Sequence, residues 1–191
     1  MSPRTKEQYE EIRESKKKLI LDTSLELFAN EGYYSTSISK IAKVAGISKG
    51  LIYNYFESKE DIIRIIILQG IKDLAGLFDS NKDGVLTKEE IRYFIEEMFE
   101  TVNRDQHFWK LYFMIFMQPP VLKLVDKPFS ELLHNSMHML IEYFRSQGHE
   151  DPESEAILLG AILDGIGFHF VMNPDGFPMD KIKERIIKMY S

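Results

Sequence analysis

The sequence predicts an all-helical protein: a small N-terminal head of three helices followed by a larger C-terminal helical body. Three observations carry that prediction. Apolar residues recur at three and four spacing along most of the 191 residues. Serines, threonines and acids stand where helices would begin, and glycines stand where they would end. No alternating apolar pattern of useful length suggests a strand.

After a polar arm, residues 6 to about 31 read as one amphipathic helix with Leu19, Ile20, Thr23, Leu27 and Phe28 on one face, and Gly32 ends it. Residues 37–56 specify two short helices meeting at a tight turn. Ser37 caps the first, Ile38, Ile41, Ala42 and Ala45 form its buried stripe, Gly46 supplies the stop, and Ser48 caps the second. Lys40, Lys43, Lys49, Tyr53, Asn54 and Tyr55 are left to face outward. Cations, an amide and two phenols on a helix-turn-helix suit phosphate and base-edge contacts in a major groove.

Ser58-Lys59-Glu60-Asp61 then opens a long helix through Phe78, with a serine cap and early acids. A polar loop at 79–86 precedes a helix from Thr87 to about Asn103 and an aromatic helix from about Gln106 to Met117. Pro119-Pro120 forces a break. Further helices are expected at about 121–146, 152–172 and 178–190, separated by Gly148, Pro152 and the Asn173-Pro174-Asp175-Gly176 turn. The domain border is placed between residues 57 and 58.

The net charge of −6 looks wrong for a nucleic-acid binder until it is divided along the chain. Of the 24 lysines and arginines and 30 acids, residues 1–60 hold ten and nine, so the front is +1 and the remainder −7. A basic face can be local on an acidic protein. The Lys16–Lys18 run admits the blander reading of a solvated helix face. The chain has no cysteine, which excludes disulfides and thiolate metal sites and suits a reducing cytoplasm. No basic-then-apolar leader opens it, and the apolar run Ile62–Leu68 is broken by Arg64, so a soluble, cytoplasmic protein is expected. No nucleophile elbow, phosphate-cradling glycine loop or metallohydrolase motif points to an enzyme.

The head resembles that of the TetR family of transcriptional regulators, in register over about the first sixty residues. The matching residues are Leu27-Phe28, Gly32-Tyr33, Thr36-Ser37-Ile38, Ile41-Ala42, Ala45-Gly46-Ile47-Ser48-Lys49-Gly50, Ile52-Tyr53, Tyr55-Phe56 and Ser58-Lys59-Glu60. The resemblance implies a ligand-binding and dimerisation body, a double-stranded DNA operator as partner, and a repressor released by a small molecule. It also implies phosphate contacts for Ser37, Lys49, Tyr53, Tyr55 and Lys59, and base contacts for Gly50, Leu51 and Asn54. Leu51 is apolar where the family often has a small or hydroxyl residue, which leaves operator sequence beyond carry-over.

In the body, Trp109, Tyr112, Phe113, Phe116 and Met117 share one expected helix. Plain core is the default reading of such a stripe. The resemblance favours a cavity for an apolar or aromatic effector, completed by Met137, Phe168 and Met172 and anchored by His107, His138 and His169. Gly160, Ala161, Gly165 and Gly167 lie among large apolar residues of the helix expected at 152–172. Glycine inside a helix costs about 1 kcal/mol relative to alanine, so a close helix neighbour is implied, in a homodimer by resemblance or within the chain.

A second resemblance is to the twelve-residue calcium loop of the EF-hand. Asp79, Asn81 and Asp83 occupy positions one, three and five, Gly84 six, Val85 seven through its carbonyl, Thr87 nine, and Glu90 the bidentate twelfth. Calcium is therefore the expected cofactor, and a calcium sensor the alternative function. The competing reading is a metal-free turn, because Asn-Lys-Asp-Gly is a common turn sequence and Thr87 to Glu90 is also a capping box.

Overall fold

The computed structural model describes residues 5–190, the side chains of Ala75, Asp126, Pro128, Phe129, Leu132 and Val171 excepted. Among the described residues there are nine helices and no strand: α1 (Lys6–Glu31), α2 (Ile38–Val44), α3 (Lys49–Tyr53), α4 (Lys59–Ala75), α5 (Lys88–Arg104), α6 (Gln106–Phe116), α7 (Pro119–Ser146), α8 (Pro152–Met172) and α9 (Met179–Tyr190). No helix among them is long and apolar enough to cross a membrane. The chain gathers into two compact units, one comprising the chain up to Ile67 with Met114–Leu124, the other Leu68–Phe113 with the chain from Val125 on. The border expected at 57/58 falls inside the first unit, and α4, α6 and α7 each run from one unit into the other.

In the first unit, α1 opens with a reciprocal capping box: the Gln8 amide donates to Thr5 Oγ1 and the Thr5 amide to Gln8 Oε1. Its buried face is Ile20, Ser24, Leu25, Leu27 and Phe28, with Leu19 and Thr23 only half-buried. Ser24 is tolerated there because its hydroxyl donates to the Ile20 carbonyl at 2.6 Å. Gly32 ends the helix at φ 88°, ψ 150°, a backbone region open to glycine alone. Ile41, Ile52, Ile62, Ile63 and Ile67 are fully buried. Ala45, expected in the α2 stripe, is half-buried.

Two boundaries differ from the sequence expectation. α4 stops at Ala75, the Gly76 and Leu77 amides closing a turn onto Lys72 and Leu74, and Phe78 leaves the helix to enter the body core. α7 starts at Pro119 instead of 121, so the two prolines open a helix where a break was expected to exclude them. A proline in the first turn gives up only an N–H that has no intrahelical partner.

The second unit is built on α5 and α9, whose Glu100 and Lys183 pair at 2.7 Å, with α7 and α8 completing its core. Phe78 and Phe94 meet edge to face at 4.8 Å, and the Tyr143 hydroxyl donates to the Tyr190 carbonyl at 2.9 Å. Each ring so buried contributes about 1.5–3 kcal/mol. Two glycines admit rings: a Cβ at Gly70 would lie 2.3 Å from the Tyr112 ring, and one at Gly167 would lie 3.0 Å from the Phe113 ring.

Candidate nucleic-acid interface

The turn between α2 and α3 is a Schellman motif. Gly46 takes φ 65°, its amide donates to the Lys43 carbonyl, and the Ile47 amide donates to the Ala42 carbonyl at 3.0 Å. Ser37 Oγ accepts from the Lys40 amide at 3.2 Å and Ser48 Oγ from the Leu51 amide at 3.1 Å, so both helices are capped as the sequence predicts. Ile52 is fully buried and pins α3 on that side. Ser48, Lys49, Gly50, Tyr53 and Asn54 are exposed on α3 and its ends, and Leu51 is half-buried. Lys49 Nζ lies 5.8 Å from the Tyr53 ring centre, within cation–π reach. This leaves a cation, two hydroxyls and an amide exposed on α3 and its ends.

Two residues expected to face outward, and one expected by resemblance to hold a phosphate, are partly engaged within the chain. Lys40 is half-buried and pairs with Glu31, and Tyr55 is half-buried beside Phe56. Lys59 turns inward: its ammonium donates to the Tyr33 carbonyl at 2.8 Å and the Thr36 carbonyl at 3.0 Å, 4.2 Å from the Tyr33 ring centre. Two of its three donors thus hold the α1–α2 loop, which leaves one for a phosphate.

Tyr33 is the knot of that loop, and it is buried. Its hydroxyl donates to Glu60 Oε1 at 2.9 Å and its amide to Gln118 Oε1 at 3.1 Å. Burial, then the Glu60 carboxylate, holds the Tyr33 hydroxyl well above the ordinary phenol range. Backbone hydrogen bonding and the Tyr33 hydroxyl hold Glu60 below the usual carboxylate range. Thr36 Oγ1 donates to the Gly32 carbonyl at 3.0 Å, closing the loop from inside. Gln118 was not singled out in the sequence. Its only local signal is its place immediately before Pro119, at the cap of α7.

The residues considered for an effector separate into groups. Trp109 and Tyr112 are buried, 2% and 3% exposed, and Phe113, Phe116 and Met137 are half-buried. Trp109, Tyr112 and Phe113 form one aromatic cluster, with Trp109 and Tyr112 at 5.2 Å and the indole donating to the Thr101 carbonyl. Burial, then Asp73, raises the Tyr112 hydroxyl above the ordinary phenol range. His107, Met117, His138, Phe168, His169 and Met172 are exposed on the single chain.

At the loop between α4 and α5, Asp79 accepts from the Lys82 and Gly84 amides at 2.8 and 2.9 Å, Asn81 from the Asp83 amide, and Asp83 from the Val85 amide, all with side-chain oxygens. Glu90, 8% exposed, accepts from the Thr87 amide while its own amide donates to Thr87 Oγ1, a complete capping box. Among the described residues no three His, Asp or Glu come together as a metal cluster.

A capped, glycine-hinged pair of short helices with an exposed polar second member has the geometry of a helix-turn-helix. Residues 20–65 match the family model described as bacterial regulatory proteins, tetR family. The fatty acid metabolism regulator protein of Bacillus subtilis (strain 168) is 32% identical over 89 residues, covering 46% of each chain. The HTH-type transcriptional regulator YuxN of the same strain is 56% identical over 48 residues, 25% of this chain and 16% of that one. The chain thus spans less than half the length of these curated relatives. The fold extends further: the FadR regulator from Bacillus subtilis, solved in complex with stearoyl-CoA, superposes with a TM-score of 0.68 over 90% of this chain and 96% of that one, at 21% identity.

Proposed function

We propose that this protein is a dimeric, sequence-specific DNA-binding transcriptional regulator, a repressor released by an apolar effector. The observation that carries the reading is the exposed set Lys49, Gly50, Tyr53 and Asn54 on a helix whose cap, hinge and buried Ile52 fix its presentation. Dimerisation is supported by α8, where Ile157, Ala161, Phe168 and Met172 repeat on one face and stand exposed, Phe168 by 51%. The effector we favour carries a long acyl chain, because a 32%-identical relative is a fatty acid metabolism regulator and the FadR structure holds stearoyl-CoA. The aromatic cluster of Trp109, Tyr112 and Phe113 is the wall proposed to meet it.

The test uses the intact protein with duplexes tiled across the DNA upstream of its own coding sequence. One duplex should bind, stearoyl-CoA should release it, and the single Trp109 should change its fluorescence over the same concentrations. Failure of every duplex to bind overturns the reading. Binding that stearoyl-CoA leaves untouched, with Trp109 silent, overturns the choice of effector only.

We also propose a calcium ion at Asp79, Asn81, Asp83, Val85, Thr87 and Glu90, on the strength of the twelve-position spacing. The carboxylate oxygens retain lone pairs beyond their single backbone bonds, whereas Glu90 must turn from Thr87 to ligate. Glu90→Gln separates the ion from the cap, since glutamine also completes a capping box. Calorimetric calcium titration should give heat in the wild type and none in the variant. No heat in the wild type at millimolar calcium leaves the loop a capped turn.

A further inference from the structure

We infer that Gln118 is a positioning residue for DNA reading, an amide clasp through which the α6–α7 corner holds the α1–α2 loop and so sets the presentation of α3. The inference rests on the proposed DNA-binding function and deepens it.

Gln118 uses both ends of its amide on backbone far away in sequence. Its Oε1 accepts from the Tyr33 amide at 3.1 Å, and its Nε2 donates to the Phe28 carbonyl at 3.0 Å. Phe28 lies in the last turn of α1, where its carbonyl also accepts from the Gly32 amide at 3.1 Å, and Tyr33 begins the segment leading to the Ser37 cap. One side chain therefore spans Gly32, the residue whose backbone conformation turns α1 toward α2.

Gln118 is itself held firmly. Its amide donates to Ile115 at the end of α6, its carbonyl accepts from Val121 in α7, and two prolines follow it. Ile115 and Val121 are fully buried at this corner. The loop it grips is gripped again from α4, by Lys59 on the Tyr33 and Thr36 carbonyls and by Glu60 on the Tyr33 hydroxyl. Tyr33 thus receives two restraints from α4 and one from the α6–α7 corner. Tyr112 and Phe113 lie on α6 six and five residues before Gln118. A residue that only satisfied a helix end would support stability without touching operator discrimination.

The experiment compares wild type with Gln118→Leu, and with the milder Gln118→Asn, which is one methylene short of both partners. Two readouts are taken on the full chain: amide exchange at Tyr33, and affinity for the operator duplex beside a scrambled duplex over a salt series. Gln118→Leu should speed Tyr33 exchange and weaken operator binding about tenfold, the scale of one to two lost hydrogen bonds, with scrambled-duplex affinity and salt slope unchanged. Gln118→Asn should move both readouts the same way by less. Unchanged Tyr33 exchange in both variants would overturn the clasp. Faster exchange with operator and scrambled affinity falling together, or neither falling, would reduce it to a structural bond. A wild type that does not distinguish the two duplexes fails at the DNA reading itself, before any variant is compared.

Discussion

Gly46 and Gly84 both hold left-handed backbone, φ 65° and 78°, in turns flanked by a serine or threonine cap, yet the two turns treat their polar side chains in opposite ways. Around Gly46 the caps use only Ser37 and Ser48, and Lys49, Tyr53 and Asn54 are left exposed. Around Gly84 the side chains of Asp79, Asn81, Asp83 and Glu90 all turn back to accept backbone amides of their own loop. A turn that satisfies itself with two hydroxyls keeps its long polar groups for a partner. A turn that spends its carboxylates on its own amides is a stable connection first, and any ion must share or displace those bonds.

The comparison breaks most directly at the glycines. Valine at either position meets the left-handed penalty of about 1–2 kcal/mol, so Gly46→Val and Gly84→Val should lower the melting point by similar amounts. Operator affinity should fall by more than about tenfold in Gly46→Val alone, because only that turn sets α3. Equal losses of DNA binding in both variants would erase the distinction.

A second pair of glycines sharpens the same contrast between self-contained and partner-facing surfaces. A Cβ at Gly165 meets nothing within 4 Å, whereas one at Gly167 presses on Phe113 at 3.0 Å. Gly165→Leu should leave the monomer fold intact and shift sedimentation from dimer to monomer. Gly167→Leu should instead lower the melting point, with overpacking costing about 1–3 kcal/mol. A monomeric wild type at micromolar concentration would remove the interface proposed for α8.

These contrasts mark what the sequence made legible. Local chemistry read well: Ser37, Ser48, Gly46 and the Thr87–Glu90 box act within four residues, and their side chains do what their spacing implies. Contacts spanning the chain did not. Lys59 was grouped with phosphate-holding residues, and carbonyls 26 and 23 residues away take two of its three donors, while Gln118 reaches back 85 and 90 residues with no pattern to announce it. Boundaries slipped where two rules competed, as at Pro119, where a residue that ends helices also begins them. Tyr112 and Gly70 are apart in sequence, so their ring-on-backbone packing was equally silent.

A smaller effect concerns pH. Burial raises the Tyr33 and Tyr112 hydroxyls above the ordinary phenol value, so their contribution to stability is complete below about pH 10 and is lost as pH rises through their folded-state values. The melting point should be flat from neutral pH to about 9 on this account and decline above about 10. Tyr33→Phe should lose some stability at neutral pH, through the Glu60 bond, and show a shallower alkaline decline. An unchanged alkaline slope would remove Tyr33 from the explanation.

The central claim, that α3 reads DNA through its exposed face, is tested most directly by fluorescence anisotropy of wild type and Lys49→Ala on operator and scrambled duplexes over a salt series. The account predicts that wild type prefers the operator by about a thousandfold or more. It also predicts that Lys49→Ala weakens binding to both duplexes, with the slope of log affinity against log salt shallower by about 0.9. Equal affinity of the wild type for the two duplexes, or a Lys49→Ala titration superimposable on wild type at every salt concentration, would contradict it.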